Sequence, residues 1–206
     1  TSAKKNNVKN EIVILTATSG DTGSAALSGF SDVEGTKIIV FYPKHGISAV
    51  QERQMVSCKG KNTCVVPVEG NFDDAQSGVK NIFATLDLPE GVKLSSANSI
   101  NIGRLAPQVA YYFKAYGDLI KNNEIKMGDK VNFIVPTGNF GDILAGFFAM
   151  NMGLPVGKLV CASNENKVLT DFFENGSYNK NREFHITKSP SMDILISSNL
   201  ERLLYL

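Results

Sequence analysis

The sequence predicts an α/β protein with open, twisted parallel sheets and flanking helices, because short apolar segments alternate with segments of helical character along the chain. Apolar runs rich in Val and Ile lie at residues 11–15, 37–42 and 62–68, and a segment of helical length follows each of them. Strands joined by helices in this order form crossover units with parallel neighbours.

The composition excludes several classes of protein. The 206 residues, of which 43% are hydrophobic, suffice for one large or two small domains with a real core. The 21 basic and 20 acidic side chains give a net charge of +1. Such a balance does not attract a polyanion, so we expect a small-molecule partner and no nucleic acid. No signal peptide and no apolar run of membrane-spanning length is evident, so no membrane partner is expected.

The cysteines indicate a reducing compartment. Cys58, Cys64 and Cys161 are odd in number and lack the spacing of a metal site. Two of them stand in apolar or strand-like surroundings, which predicts buried, reduced thiols in a cytoplasmic protein without a metal. A local disulfide between Cys58 and Cys64 is expected only if the protein is secreted.

In the first half, helices are predicted to open at Ser24 and to cover residues 48–58 and 71–86. The Pro-Glu-Gly turn at residues 89–91 is the best candidate for a domain boundary. We therefore expect a small α/β domain over residues 1–91 and part of a larger domain over residues 92–206.

In the second half, a strand is predicted at 92–94 and a long amphipathic helix at 105–123. Strands at 131–135 and 158–162 each precede a helix, the second of which covers 168–174. The end of the chain, residues 184–206, is apolar enough to be buried. The aromatic residues of the long helix are expected in the core or an interface: Tyr111, Tyr112, Phe113 and Tyr116.

The turn after the strand at 131–135 predicts an anion site. Its sequence, Pro-Thr-Gly-Asn-Phe-Gly-Asp at residues 136–142, leads into a helix of small and apolar residues. Backbone N–H groups at a helix N-terminus, together with the helix dipole, favour negative charge. The turn lacks the first glycine of a dinucleotide-binding motif and the lysine of a P-loop, so a phosphate would be held rather than transferred. The alternative is a tight strand-to-helix turn without a ligand.

A second turn of this kind follows the first strand. Residues 19–23 (SGDTG) align with residues 137–141 (TGNFG), and both glycine pairs are offset by the same number of residues. Both turns would lie at carboxyl ends of strands, where open α/β sheets bind ligands. Asp21 would repel a dianion, so a ligand group that carries a hydrogen is a better partner. The alternative is that Ser19 or Asp21 only caps the helix.

Two further segments are candidates for anion recognition. Lys44 and His45 follow the second strand, at the edge where ligands bind, although a solvated lysine and a loop histidine are the simpler explanation. In the polar run at 95–104, Asn98, Asn101 and Arg104 alternate with isoleucines, and an Arg presents a rigid fork of donors suited to a phosphate. Runs rich in Asn and Ser also form ordinary turns.

Four segments taken together carry a family resemblance: TATSGDTG at 16–23, FYPKHGIS at 41–48, SANSINIGR at 96–104 and PTGNFGD at 136–142. In this order and spacing they resemble threonine synthase of the fungal and bacterial long-chain type, over about residues 11–206. The resemblance implies a pyridoxal-phosphate enzyme of the tryptophan synthase β-like fold, with two domains around a cofactor cleft. It further implies a lyase that converts O-phospho-L-homoserine and water to L-threonine and phosphate, the last step of threonine biosynthesis.

The resemblance also implies roles for particular residues. The cofactor would be bound by the turn that ends at Asp142, through Gly138, Asn139, Phe140, Gly141 and Asp142, and by Asp21. The turn after the strand at 11–15, called the first turn below because it comes first in the chain, would meet the substrate carboxylate through Thr18, Ser19, Gly20 and Thr22. Candidates for the substrate phosphate are Lys44, Asn98, Asn101 and Arg104.

One departure from the family pattern is serious. The Schiff-base lysine of the family lies in a Phe-Lys-Asp segment upstream of the first glycine turn, and no lysine here has those neighbours. The family's contact to the cofactor ring nitrogen is missing as well. We therefore expect the central piece of a longer enzyme, truncated at both ends, inactive alone, and marginally stable or associating.

Three other classes remain open. A threonine dehydratase or a cysteine synthase would share the fold and the cofactor, but the segment with Asn98, Asn101 and Arg104 argues against both. A non-catalytic module that binds an anionic metabolite would need no lysine. A nucleotide-binding dehydrogenase fits least, because no acidic residue follows a true dinucleotide motif at the ribose spacing.

Overall fold

The computed structural model describes residues 5–206. By its internal contacts the chain divides into two compact units, Thr1–Asn98 and Ser99–Leu206. The predicted boundary at residue 91 precedes this division, because the strand that follows it hydrogen-bonds to the first strand of the chain and so joins the first unit.

The first unit contains a four-stranded parallel sheet in the order β3-β2-β1-β4. Its elements, in chain order, are β1 (Glu11–Ala17), α1 (Asp21–Phe30), β2 (Thr36–Pro43), α2 (Ala49–Val56), β3 (Thr63–Val68), α3 (Phe72–Thr85) and β4 (Val92–Ser96). All four strands end at the same edge, since they are parallel, and the loops that follow them meet there.

Helices cover both faces of this sheet. Successive strand residues point to opposite faces, so Ile14 and Leu15 belong to different core clusters. Ile14 packs with Leu27 of α1 and Met55 of α2, whereas Leu15 packs with Val79 of α3. The predicted parallel sheet with flanking helices is therefore confirmed, and the helices lie on both of its faces.

The second unit contains the parallel pair β5 (Val131–Pro136) and β6 (Val156–Ala162), whose register shifts after Val131. The remaining elements are α4 (Ile102–Leu105), a 3-10 turn (Ala106–Gln108), α5 (Val109–Lys121), α6 (Gly141–Asn151), α7 (Val168–Asn175), a 3-10 turn (Pro190–Met192) and α8 (Leu200–Tyr205). α6 connects the two strands and is buried at Leu144, Ala145 and Ala149, where it packs with Tyr112 of α5 and Leu169 of α7.

Several predictions for the second unit need correction. The helix predicted at 105–123 is divided, because Pro107 has no N–H to continue a helical hydrogen-bond ladder and a 3-10 turn forms around it. Tyr112 and Tyr116 are buried as predicted, but Tyr111 is 61% exposed and Phe113 is 39% exposed. They occupy the outer face of α5.

Two other burial predictions were only partly right. The cysteines are all free, but Cys64 is exposed, because its side chain points outward on the edge strand β3. In the segment 184–206, Ile194 and Leu200 are buried, whereas Tyr205 is 92% exposed. The last turn of α8 therefore lies on the surface.

Within residues 5–206, no helix is long and apolar enough to cross a membrane. The same part of the chain holds no group of three or more His, Cys, Asp or Glu side chains that could bind a metal ion.

Candidate functional site

The loop between β1 and α1 is shaped by the hydroxyl of Thr18. This buried side chain accepts hydrogen bonds from the backbone N–H groups of Gly20 and Gly23, both at 2.9 Å. Gly20 has φ of +137°, a conformation that favours glycine. The predicted contact of Thr18 with substrate therefore competes with a structural role, since its oxygen already accepts two hydrogens.

Gln51 of α2 also supports this loop, and no pattern in the sequence had indicated the contact. Its Nε2 donates to Oδ1 of Asp21 at 2.8 Å, and its Oε1 accepts from the backbone N–H of Ser48 at 3.1 Å. A Cβ added to Gly20 would come within 2.4 Å of Cδ of Gln51. Asp21 is exposed, but its carboxylate has a fixed partner.

Helix capping does not explain this turn. The N-cap of α1 is Gly20, which makes no side-chain capping bond, so neither Ser19 nor Asp21 caps the helix. Ser19 and Thr22 are partly buried. Among the hydrogen bonds of residues 5–206, none is donated by the backbone N–H of Ser19 or Thr22. These two groups remain available to a ligand.

Lys44 and Asn98, two candidates for the substrate phosphate, have partners in the first unit. Lys44 follows β2 on the surface, and its Nζ lies 2.7 Å from Oε1 of Glu69. The Glu69 carboxylate raises the pKa of Lys44 by hydrogen bonding and by its charge. The buried amide of Asn98 accepts from the N–H of Ala17 at 2.8 Å and donates to the carbonyl of the same residue at 2.6 Å. Asn98 thus extends the pairing of β1 with β4 beyond the last strand residue.

In the second unit, the turn between β5 and α6 presents backbone donors. Phe140, the N-cap of α6, has φ of +66°, a left-handed conformation that is costly for a bulky residue and concentrates at functional sites. No hydrogen bond among residues 5–206 is donated by the backbone N–H of Gly138, Asn139 or Phe140. Gly138 and Phe140 are buried, and buried backbone donors in native proteins are nearly always paired. The turn therefore fits an anionic ligand.

The two glycines of this turn leave little space. A Cβ at Gly138 would lie 2.8 Å from Cδ1 of Ile194. A Cβ at Gly141 would lie 3.2 Å from Oδ1 of Asn139, which accepts the N–H of Gly141 at 3.0 Å. A residue with a side chain at either position would therefore collide with, or push against, Ile194 or Asn139. Glycine at both positions allows the turn to pack this closely.

Residues 197–199, near the end of the chain, form hydrogen bonds with the carbonyl groups of the turn before α6. Ser197 Oγ donates to the carbonyl oxygen of Gly138 at 2.5 Å, and Asn199 donates both its backbone N–H and its Nδ2 to the carbonyl oxygen of Asn139. Asn199 also donates to Oγ of Ser99 at 3.0 Å. Sequence reasoning missed Ser197 and Asn199, because their partners are 59 and 60 residues away.

The other two residues predicted to bind the substrate phosphate are Asn101 and Arg104, and the segment just before them contacts Arg202. Asn101 caps α4 through a 2.9 Å bond from the N–H of Gly103 to its Oδ1. Arg202 Nη2 donates to the carbonyl oxygen of Ile100, which fixes the residue before Asn101. Arg104 is exposed, and no described residue forms an ion pair with it. Its guanidinium is free to meet an anion.

Asp142, in the first turn of α6, points toward Tyr112. The Tyr112 hydroxyl donates to the backbone carbonyl of Asp142 at 2.8 Å and lies 3.4 Å from Oδ1. Burial raises the pKa of the Asp142 carboxyl, and the hydrogen bond from Tyr112 partly opposes this rise. The predicted contact of this side chain with a cofactor has no geometric support here, since the carboxyl faces Tyr112.

The two turns that align in sequence differ in conformation. α1 begins at Asp21, directly after the first glycine, whereas α6 begins at Gly141, the second glycine of its turn. In the turn before α1 a threonine hydroxyl accepts two of the N–H groups, those of Gly20 and Gly23. In the turn before α6 the three successive N–H groups of Gly138, Asn139 and Phe140 have no acceptor among the described residues, so this turn is better suited to an anion.

An apolar cavity of about 520 Å³ lies next to Phe140. Phe147, Leu159, Val160 and Phe173 line it together with Phe140, and Glu174 is its one charged residue. Its lining does not suit a phosphate.

Comparison with known proteins identifies relatives of this chain. No family model matches it. It is 48% identical over 206 residues to threonine synthase-like 1 of Homo sapiens, with 94% of this chain and 28% of the relative covered. It is 44% identical over 197 residues to threonine synthase of Saccharomyces cerevisiae, covering 96% of this chain and 38% of the relative.

A solved structure extends the likeness to three dimensions. The structure of pyridoxal-phosphate-bound threonine synthase from Brucella melitensis matches with a TM-score of 0.82 and 44% identity, over 98% of this chain and 42% of that one. The present chain therefore spans well under half the length of these relatives. The predicted tryptophan synthase β-like fold is confirmed.

Proposed function

We propose that this chain, which is a homologue of the threonine synthases, forms the phosphate-binding part of a pyridoxal-phosphate-dependent lyase that makes L-threonine and phosphate from O-phospho-L-homoserine and water. The observation that carries the proposal is the turn before α6, where the N–H groups of Gly138, Asn139 and Phe140 have no acceptor among the described residues. An anion at this point also gains from the dipole of α6.

The residues of the turn fit the cofactor phosphate. Gly138, Asn139 and Phe140 would hold it through backbone N–H groups, and Gly141 keeps the approach open. Asn139 fixes the last part of the turn through its side chain. When bound, pyridoxal phosphate supplies an electron-accepting ring for carbanion chemistry at the substrate. Asp142 contributes indirectly, through its contact with Tyr112 and the first turn of α6.

In the first unit, the turn before α1 is the proposed binding point for the substrate carboxylate. We assign the substrate carboxylate to the open N–H groups of Ser19 and Thr22, with Thr18 and Gly20 as the residues that shape the turn. Asp21 carries a fixed carboxylate that suits a ligand group with a hydrogen to donate. A substrate carboxylate fixed in this way restricts the orientation of the reacting bonds and lowers the entropic part of the barrier.

The substrate phosphate is assigned first to Arg104 and Asn101. Arg104 is exposed and offers a bidentate fork. Lys44 would have to leave Glu69 to contribute, and the Asn98 amide is already used by Ala17.

Free cysteines support the further proposal that the protein works in the reducing cytoplasm.

The test is phosphate release from O-phospho-L-homoserine by the full-length gene product with pyridoxal phosphate. We expect threonine and phosphate in equal amounts and no product from L-homoserine, which has no phosphate to lose. Release of ammonia from threonine, or of acetate from O-acetylserine, would assign the protein instead to the dehydratase or cysteine synthase class.

A second candidate is a protein that binds a phosphorylated metabolite without this reaction. This candidate is retained because the chain is 48% identical to threonine synthase-like 1, and that name describes a likeness to threonine synthase rather than an activity. A protein of this kind would bind O-phospho-L-homoserine or pyridoxal phosphate but release no phosphate.

A further inference from the structure

The turn of Gly138, Asn139 and Phe140 before α6, called the phosphate turn from here on, forms hydrogen bonds with two residues from a distant part of the chain. Ser197 Oγ donates to the carbonyl oxygen of Gly138 at 2.5 Å. The backbone N–H of Asn199 donates to the carbonyl oxygen of Asn139 at 3.1 Å, and its Nδ2 donates to the same oxygen at 3.0 Å. Two successive carbonyl groups of the turn are thus fixed toward the segment 197–199.

The fixed carbonyl groups determine the direction in which the neighbouring N–H groups point. In a trans peptide the C=O and the N–H point to opposite sides of the chain, and no described peptide is cis. The carbonyl of Gly138 shares its peptide with the N–H of Asn139, and the carbonyl of Asn139 shares its peptide with the N–H of Phe140. Fixing the two carbonyls toward the segment 197–199 therefore turns these two N–H groups away from it.

The orientation of the Asn199 amide is determined by the same contact. A carbonyl oxygen can only accept a hydrogen bond, so the nitrogen of the amide must face Asn139. Asn199 is completely buried, and its Oδ1 has no hydrogen-bond partner among the described residues. The neighbouring Ser198 is also buried, and its hydroxyl likewise has no partner in this part of the chain.

We infer that Ser197 and Asn199 are positioning residues for phosphate recognition: they hold the carbonyls of Gly138 and Asn139 so that the N–H groups of Asn139 and Phe140 are oriented for the anion before it binds. This inference rests on the proposed function of the turn. An oriented set of donors binds an anion more tightly, because no ordering has to accompany binding. Neither side chain needs to touch the ligand.

The experiment compares a ligand with and without its phosphate. The probes are pyridoxine 5′-phosphate and pyridoxine, which lack an aldehyde and so cannot react with surface lysines. Affinities are measured by calorimetric titration of the 206-residue chain and of the full-length gene product, and the readout is the ratio of the two affinities. Ser198→Ala is the matched control, since it removes a hydroxyl without a partner one residue away.

We expect the wild type and Ser198→Ala to prefer the phosphorylated ligand by the same factor. In Ser197→Ala the preference should fall roughly fivefold, the effect of one hydrogen bond, while the affinity for pyridoxine stays unchanged. Ser197→Thr keeps the hydroxyl and should restore the preference. Asn199→Asp, which places an acceptor against the Asn139 carbonyl, should lose at least as much as Ser197→Ala.

The outcomes distinguish the role of Ser197 from the role of the turn as a phosphate site. A wild-type preference that Ser197→Ala retains in full would overturn the role of Ser197 and leave the phosphate turn intact. A wild type without any preference would overturn the turn as a phosphate site and the inference with it. If Ser197→Ala does not fold, as judged by circular dichroism, Ser197→Cys takes its place, because a thiol of similar size is a weak donor and should reduce the preference in the same way.

Discussion

The hydroxyl of Tyr112 in α5 donates a hydrogen bond of 2.8 Å to the backbone carbonyl of Asp142 in the first turn of α6. The ring of Tyr112 lies close against the same helix, since a Cβ added to Gly146 would come within 2.6 Å of its Cε1. It also makes an edge contact with Phe133 of β5, with ring centroids 5.0 Å apart. One side chain thus fixes the start of α6, the helix that follows the turn of Gly138, Asn139 and Phe140.

Tyr112→Phe should destabilise the protein modestly. The ring and its packing remain, but one hydrogen bond to a largely buried carbonyl is lost, which costs about 1 kcal/mol of the free energy of unfolding. Tyr111→Phe is the matched control, because its side chain is 61% exposed and should change the same quantity by less than about 0.5 kcal/mol. Urea denaturation followed by circular dichroism measures both. Equal effects of the two substitutions would contradict the role of the Tyr112 hydroxyl.

Asp142 should make stability depend on pH. Burial raises the pKa of this carboxyl in the folded protein, so the folded state binds its proton more tightly than the unfolded state does. The free energy of unfolding should therefore fall as the pH rises from about 4, the ordinary value for Asp, through the raised pKa, and stay lower above it.

Asp142→Asn removes this contribution. Relative to the wild type, its free energy of unfolding should increase across that pH window and then remain constant. In Tyr112→Phe the hydrogen bond that lowers the pKa of Asp142 is gone, so the window should extend to higher pH. Urea midpoints measured from pH 3 to pH 8 test both statements, and a difference between Asp142→Asn and wild type that does not vary with pH would refute them.

The sequence allowed most of the fold to be predicted, because strands and helices alternate with clear hydrophobic periods. β1 was predicted at 11–15 and extends to Ala17, and α3 was predicted within one residue of its observed ends, Phe72 and Thr85. The error at Tyr111 has a simple cause. Four aromatic residues in six positions cannot all face one side of a helix, and the pattern alone did not show which would be exposed.

The candidate site could be predicted only where it is local. The turn at 137–142 was recognisable because a strand, a glycine turn and a helix follow one another in sequence. Its support by Ser197 and Asn199 was not, since hydrogen bonds across 59 and 60 residues leave no periodic signal. Asn98 was recognised as unusual but its partner was missed, because the backbone of Ala17 lies 81 residues away.

Thr18→Val should weaken the first turn. Valine has nearly the same shape as threonine but no acceptor, so the N–H groups of Gly20 and Gly23 would lose their partner in a buried position. The expected loss is about 1–3 kcal/mol in the free energy of unfolding. Thr22→Val is the matched control in the same turn, because no described residue bonds to its hydroxyl, and it should change stability by less than about 0.5 kcal/mol. Urea unfolding of both variants measures this, and a Thr18→Val protein as stable as Thr22→Val would show that the two bonds contribute little.

Asn98→Asp gives the sharpest test of the junction between β1 and β4. The wild-type amide accepts from the N–H of Ala17 at 2.8 Å and donates to its carbonyl at 2.6 Å. An ionised carboxylate keeps the first bond but faces the carbonyl without a hydrogen, in a buried position. At pH 7 we expect a loss of about 2–4 kcal/mol in the free energy of unfolding, from the lost bond and the unfavourable contact.

This loss should shrink in acid. A protonated carboxyl can donate to the Ala17 carbonyl, so the folded state raises the pKa of Asp at position 98 above its unfolded value. The stability of Asn98→Asp relative to wild type should then increase as the pH falls through that raised pKa toward about 4. Asn98→Ala has no titrating group and should lose stability by the same amount at every pH. Urea midpoints of the two variants from pH 4 to pH 8 make the comparison, and parallel profiles would mean that the side chain at position 98 does not pair with the Ala17 backbone as the structure shows.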